Sequence, residues 1–269
     1  MDINYLLWLQ DFRNSISEIW TPFMEGVSLF AISYVILIPT FIYWCLNKKK
    51  GLFVLASLNV VMAINVLIKL TACVYRPWIR DPRIIPAGNA IKTATGYSFP
   101  SGHTSLATAI YGSLAVSYGN TLKTRWVWWI CIFAILLTGF SRNYLGVHTP
   151  QDVLVGLITG SFSVWLTWKL FAYAEKHPEQ ENKILMGGII FVILALIYVT
   201  YKSYPVDYVD GKILMAPKHM IRNGYSNLGG LLGFCIARFA EKRWIKFEVP
   251  GFTLKSVILS LIGFVPLMW

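Results

Sequence analysis

Residues 51–75 read GLFVLASLNVVMAINVLIKLTACVY, and this stretch decides the fold. Lys69 is its one charged residue. Wound as an α-helix it is about 37 Å long, against a hydrocarbon core about 30 Å thick. In that medium only a segment that satisfies its own backbone donors and acceptors can cross, so the stretch is read as a transmembrane helix. Lys69 lies near its end, where a long side chain reaches the interface. Asn47-Lys48-Lys49-Lys50 precedes the stretch, and a polar segment with four prolines, 76–100, follows it.

Outward from this span the pattern recurs. Apolar blocks run over about 27–46, 101–118, 126–140, 151–173, 184–201 and 224–239. Block 256–269 is apolar but only about two-thirds of the roughly 20 residues a span needs. It reads either as a half-inserted segment or as a span that the sequence cuts short. The first 26 residues mix Trp8, Phe12 and Trp20 with Asp2, Asp11, Arg13, Glu18 and Glu25. Too polar to cross, they read as an amphipathic interfacial helix, and they lack the basic start and cleavage site of a signal peptide. The expected fold is all-α: a polytopic transmembrane helical bundle of about six to eight spans with an N-terminal interfacial helix.

Composition agrees. Of 269 residues, 56% are hydrophobic and 14% charged, where a soluble domain carries about 25% charge. Mean hydropathy is +0.55. Disordered chains, disulfide-stapled modules and soluble enzymes are excluded. The net charge of +11 first serves orientation and anionic headgroups, and no basic run with interleaved aromatics points to nucleic acid. Cys45, Cys73, Cys131 and Cys235 show no CxxC spacing and read as free thiols in apolar blocks. Lys48, Lys49 and Lys50, then Lys123 and Arg125, then Arg238, Lys242, Arg243 and Lys246 share one face, read as cytoplasmic. Loops 76–100, 141–150 and 202–223 then lie opposite. Segment 175–183 is mildly acidic for a cytoplasmic loop, and 76–100 is basic for an outer one. Binding of something anionic would account for the second exception.

Three polar clusters stand at that outer edge. Lys69 and Arg76-Pro77 close one span, Pro100-Ser101-Gly102-His103 opens the next, and Ser141-Arg142, His148 and Asp152 bridge two more. Together they gather three cations, two histidines, a carboxylate and a helix N-terminus. Such a place suits phosphate: the first helical N–H groups are unpaired, and the helix dipole favours an anion. Gly102 permits close approach and Ser101 adds a hydroxyl. Arg76 and Arg142 offer two-pronged bonds and Lys69 a point charge. One histidine can attack phosphorus while the other protonates the leaving oxygen. Asp152, four residues after His148, can hold one ring nitrogen as a donor. Plainer readings exist for each cluster: Thr149-Pro150-Gln151-Asp152 as a helix start, Ser101 as an N-cap, Lys69 as a snorkelling side chain, Arg76 as a headgroup anchor, His103 as a satisfied polar residue. None of them accounts for all three clusters on one face.

Lys69, six residues, Arg76-Pro77; then Pro100-Ser101-Gly102-His103; then Ser141-Arg142, five residues, His148, three residues, Asp152: this series resembles the tripartite signature of the type 2 phosphatidic acid phosphatase (PAP2) superfamily, over 69–152. The resemblance implies phosphate binding by Lys69, Arg76, Ser101, Gly102 and Arg142. It also implies a phosphohistidine on His148, oriented by Asp152, with His103 as acid, and no metal or other cofactor. The chain divides into an interfacial segment 1–26, a PAP2-like membrane core 27–201, and 202–269 as a loop plus further membrane segments.

The function so implied is an integral membrane phosphatase acting on a lipid phosphate or pyrophosphate of phosphatidate, phosphatidylglycerophosphate or undecaprenyl pyrophosphate type. Its expected partners are lipid and membrane rather than nucleic acid, and its expected site is the extracytoplasmic face of a bacterial plasma membrane. A glucose-6-phosphatase-like hydrolase of soluble esters, a lipid phosphotransferase and a non-enzymatic anion-binding membrane protein stand as alternatives. Intact His103, His148 and Asp152 weigh against the last. Lys218, Arg222 and Asn223 are weaker candidates for headgroup recognition. His177 and His219 read as solvated, and Trp126, Trp128 and Trp129 as an interfacial belt.

Overall fold

The structure, a computed structural model, describes residues 2–33, 37–209, 212–213, 217–249, 251 and 253–264. In chain order its helices are α1 (Asp2–Ser15), α2 (Trp20–Ser33), α3 (Leu37–Phe41), α4 (Lys48–Ala72), α5 (Pro77–Arg80), α6 (Ala90–Thr93), α7 (Gly102–Tyr118), α8 (Trp126–Tyr144), α9 (Pro150–Lys176), α10 (Glu181–Tyr201), α11 (Pro217–Ala240) and α12 (Leu254–Phe264). A two-stranded antiparallel hairpin pairs Tyr208 with Ile213 and Val209 with Lys212.

The decisive stretch is α4. Asn47 caps it by accepting from the Lys50 N–H at 3.0 Å. Cys73, in a left-handed conformation (φ 50°), ends it by donating its N–H to the Lys69 carbonyl. Around α4 stand α7, α9 and α11. Asn65 of α4 donates to Ser105 of α7 (2.9 Å), which shares a 3.0 Å hydrogen bond with Thr159 of α9. Gly156 and Gly160 let α9 approach α7 closely. A Cβ at Gly160 would stand 2.4 Å from the Thr108 Cβ, and one at Gly156 would stand 3.0 Å from the Ser101 carbonyl oxygen. This contact places the N-termini of α7 and α9 side by side.

On the other flank Val66 and Leu70 of α4 pack with Val192 and Val199 of α10 and Leu228 and Leu231 of α11. At the end away from the clusters, Lys48, Arg238 and Lys242 pair with Glu241 and Glu181 and tie α4, α10 and α11 together. Across the opposite end lies α1, with Leu9 packed on Ala87, Ala90 and Val147 while Trp8, 61% exposed, faces outward.

Four stretches are long and apolar enough to cross a membrane: Lys48–Arg80, Leu122–Tyr144, Pro150–Lys176 and Pro178–Tyr201. A fifth is formed if Trp20–Ile32 and Leu37–Leu46, bent by 41°, count as one. The expected count of about six to eight is thus corrected to four or five helices of that kind among the described residues. The reason is local. The 17-residue α7 is rich in Ser, Thr, Gly and Ala and is enclosed by α4, α8 and α9, so it shows lipid little apolar surface. Helix α11 carries Lys218, Arg222, Asn223 and Asn227 and begins at Pro217, earlier than the expected 224. Helix α2 also starts earlier than expected, inside segment 1–26. Of block 256–269, residues 265–269 lie outside the described residues.

Candidate active site

The three clusters meet at the outer ends of α4, α7, α8 and α9. Arg76, buried just before Pro77, is held by four contacts. Its Nε donates to the Gly96 carbonyl (2.9 Å), Nη2 to that of Thr95 (3.1 Å), and Nη1 to that of Val147 (3.0 Å) and to His148 Nε2 (2.9 Å). Guanidinium nitrogens only donate, so Nε2 accepts and the ring proton sits on Nδ1. Nδ1 lies 3.3 Å from Asp152 Oδ2. That oxygen also accepts from the Ser98 hydroxyl (2.5 Å) and the Thr149 N–H (2.8 Å). Asp152 is therefore the N3 residue of an α9 capping box and, through the same oxygen, also the group facing His148 Nδ1.

His148 is 1% exposed. It sits in the turn between α8 and α9, where Gly146 adopts φ +71° and Asn143 holds the His148 carbonyl at 2.9 Å. Burial, and after it the charges of Arg76, Arg142 and Lys69, hold its imidazole well below the ordinary value of 6.5. The ring is neutral at neutral pH, with its Nε2 lone pair turned toward Arg76.

Arg142, fully buried at the end of α8, bonds Ser28 of α2 through Nη1. Its Nε and Nη2, like His103 Nε2, are buried with no hydrogen-bond partner among the described residues. Buried unpaired donors on a guanidinium carry a large desolvation cost, which an anion removes. Lys69 differs from its expected use. Its ammonium donates to the carbonyls of Tyr97 (3.0 Å), Ser98 (3.2 Å) and Pro100 (2.8 Å), fastening the segment that carries Ser98 and leads into α7. The Ser101 N–H donates to the Asp152 carbonyl (2.9 Å) and its hydroxyl accepts from Thr104 Oγ1 (2.9 Å), so Ser101 couples α7 to α9.

A cavity of about 230 Å³ is lined by Lys69, Arg76, Gly102, His103, His148 and Asn223 among others. Ser101, Arg142 and Asp152 do not line it; they stand behind the residues that do. A larger cavity of about 380 Å³ between α2, α7 and α8, lined by Phe30, Tyr111 and Leu137, is apolar and remote from the histidines. Lys218, Arg222, His177 and His219 lie outside the site, the last on α11 rather than in a loop. Sequence reading missed Ser28, Ser98 and Asn143. Asn143 alone carried a signal, its place directly after Arg142.

The arrangement offers a neutral nucleophilic nitrogen, a second imidazole, and fixed cations around space for one tetrahedral anion. Known proteins resemble it. Undecaprenyl-diphosphatase BcrC of Bacillus subtilis is 36% identical over 97 residues, covering 36% of this chain and 45% of that protein. The bacitracin transport permease protein BcrC of Bacillus licheniformis is 30% identical over 145 residues, covering 51% and 67%. Lipid A 4′-phosphatase of Porphyromonas gingivalis is 25% identical over 177 residues, covering 59% and 72%. The chain spans less than half the length of the first of these. The family model described as PAP2 superfamily matches residues 50–176, and with these relatives it places the chain in the PAP2 superfamily.

Proposed function

We propose that this chain is an integral membrane phosphatase that hydrolyses lipid phosphates through a phosphohistidine. The observation that carries the reading is His148 itself: Nδ1–H turned to Asp152 and a neutral Nε2 turned to Arg76. A phosphate oxygen entering the cavity takes over the Arg76 Nη1 donor and releases the Nε2 lone pair. Nε2 then bonds phosphorus as the phosphorus–ester oxygen bond breaks, and His103 gives that oxygen its proton. Water, losing a proton to His103, attacks the phosphohistidine, returns Nε2 and releases inorganic phosphate. Arg76 and Lys69 at the cavity wall, and Arg142 behind it, stabilise charge on the transferring group. Gly102 leaves room over the first turn of α7, where a Cβ would meet only Asn65 Oδ1, at 3.7 Å.

Lipid is favoured because the catalytic groups lie at helix ends, at headgroup depth, and because two of the three relatives are named undecaprenyl-diphosphatase and lipid A 4′-phosphatase. Beyond the four long apolar helices, we count the bent α2–α3 pair, α7 and α11 as further crossings, which would give seven spans. Our division into 1–26, 27–201 and 202–269 is a coarse one, since α2 crosses its first boundary and α11 adds Asn223 to the cavity of the core. The cationic end at Lys48, Arg238 and Lys242 supports a cytoplasmic assignment for that end, and hence an extracytoplasmic site in a bacterial plasma membrane.

Detergent-purified protein in EDTA is expected to release phosphate from a lipid phosphate, and His148→Ala to lose that release. Equal release by the variant would sink the mechanism. A Lys92→Cys chain in intact cells should react with an impermeant thiol reagent; reaction only after lysis would invert the orientation.

A further inference from the structure

Asn223 and Asn227 of α11 both line the catalytic cavity, with Met220 on the same helical face. Neither amide has a hydrogen-bond partner among the described residues. Their depth follows from α11's contacts with α4. Gly224 abuts Leu70 and Val66, and Gly230 abuts Asn59. Asn223 therefore stands level with the Lys69 layer, and Asn227 about one helical turn, roughly 5.4 Å, further from the headgroup surface. There the lining is mostly apolar, Ile32, Met62, Val66 and Leu106, with Asn65 of α4, whose amide nitrogen is taken by Ser105, as the other polar side chain. Both asparagines are half-buried, so their amides remain open to a ligand that enters the cavity.

The cavity's charges are one-sided. Lys69 and Arg76 stand with the two histidines, whereas the α11 wall contributes only neutral amides, and its cations Lys218 and Arg222 do not line the cavity. A second phosphate beyond the scissile one would meet no cation there. An ester carbonyl, ether oxygen or hydroxyl would find amide donors and acceptors. Helix α11 also lies outside the family match at 50–176, where differences in substrate choice among relatives can reside.

From this, and resting on the lipid-phosphatase reading, we infer that Asn223 and Asn227 determine specificity by hydrogen-bonding neutral oxygens between the scissile phosphate and the hydrocarbon chains. The substrate class is then a phosphomonoester of glycerolipid type, in preference to a polyprenyl phosphate or diphosphate, whose hydrocarbon starts directly at the phosphate. The apolar floor beyond Asn227 receives the chains.

The test compares kcat/KM of the full chain in detergent on phosphatidate, on an alkyl phosphate of matched length without linker oxygens, and on farnesyl diphosphate. The wild type is expected to prefer phosphatidate to the alkyl phosphate by about tenfold, the worth of two modest hydrogen bonds. In Asn223→Ala/Asn227→Ala that preference should vanish through loss on phosphatidate alone, so the alkyl phosphate reports a folded enzyme. If the double variant loses all three activities, Asn227→Ser supplies the same comparison. A preserved preference, an equal loss on both monophosphates, or a wild type that favours farnesyl diphosphate would overturn the inference and leave the phosphatase standing. Wild-type silence on every lipid would remove the reading on which it rests, and the inference with it.

Discussion

Arg76 Nη1 and His148 Nε2 lie 2.9 Å apart, so in the mechanism we propose the cation that binds phosphate sits on the lone pair that attacks it. The same nitrogen donates to the Val147 carbonyl, and Nε and Nη2 are anchored on residues 95 and 96. The guanidinium is thus clamped on three sides and aims one N–H at the nucleophile. A lysine has one nitrogen and cannot make this fork. Arg76→Lys is expected to lower kcat/KM by about 10²-fold or more, as for loss of a preorganised transition-state donor. A value within threefold of wild type would show that positive charge alone suffices.

The depressed ionisation of His148 gives a second prediction. Its folded-state pKa lies below the ordinary 6.5, so near pH 6.5 the unfolded chain binds more protons than the folded one. The associated stability is present above pH 6.5 and is lost as pH falls toward the folded value. The chain has four histidines, and labelled imidazole resonances in micelles can be assigned by difference with His148→Ala. The His148 ring should still be neutral at pH 6.5. A titration midpoint at or above 6.5 would contradict the burial and the three cations that keep it neutral.

How much of this was legible in the chain can be argued residue by residue. The meeting of residues 69, 76, 101–103, 142, 148 and 152 followed from reading each as the outer end of a span, because alternating spans return to the same face. Ser28 and Ser98 were not legible. The first reaches Arg142 across 114 residues, the second reaches Asp152 across 54, and a lone serine, whether in an apolar block or a polar loop, has no periodicity to mark it. Lys69 was legible as a cation at a span end, for phosphate or for the interface, but not as a clamp on three loop carbonyls, since backbone acceptors have no sequence signature. Helices α7 and α11 do not meet the length and hydropathy of a span, because their polar faces are turned to other helices or to the cavity.

Ser98 carries the third prediction. Its hydroxyl is one of three donors on Asp152 Oδ2, beside the Thr149 N–H and His148 Nδ1–H. Ser98→Ala removes one bond to a buried carboxylate but leaves the cap and the imidazole in place. A fall in kcat of about tenfold is expected, the scale of one charge-assisted hydrogen bond, with KM little changed. Asp152→Asn weakens the acceptor and blurs the choice of tautomer, so a loss of roughly 10²–10⁴ is expected there. If Asp152→Asn lowered thermal stability while kcat stayed at the wild-type value, the residue would be a helix cap and nothing more.

The closeness of α7 to α9 carries the last. His103 rides on the first turn of α7, while Asp152 rides on α9 and His148 on the turn before it, so the spacing of the two helices sets the spacing of the proposed acid and the proposed nucleophile. Gly160 maintains it, since a Cβ there would stand 2.4 Å from the Thr108 Cβ and 2.8 Å from the Ser105 carbonyl oxygen. Gly160→Ala must push α7 away or strain both helices, at about 1–3 kcal/mol. A shift of about 1 Å between acid and nucleophile lowers turnover by about 10²-fold. Gly187 on α10 has nothing within 4 Å of its Cβ position, so Gly187→Ala adds a methyl to open space and should gain up to about 1 kcal/mol from helix propensity, with turnover unchanged. Thermal unfolding and phosphate release measured on the pair separate the two effects. Should Gly160→Ala behave like Gly187→Ala, the two helices are further apart than described, and the coupling of His103 to His148 must be sought in the Ser101–Asp152 backbone contact instead.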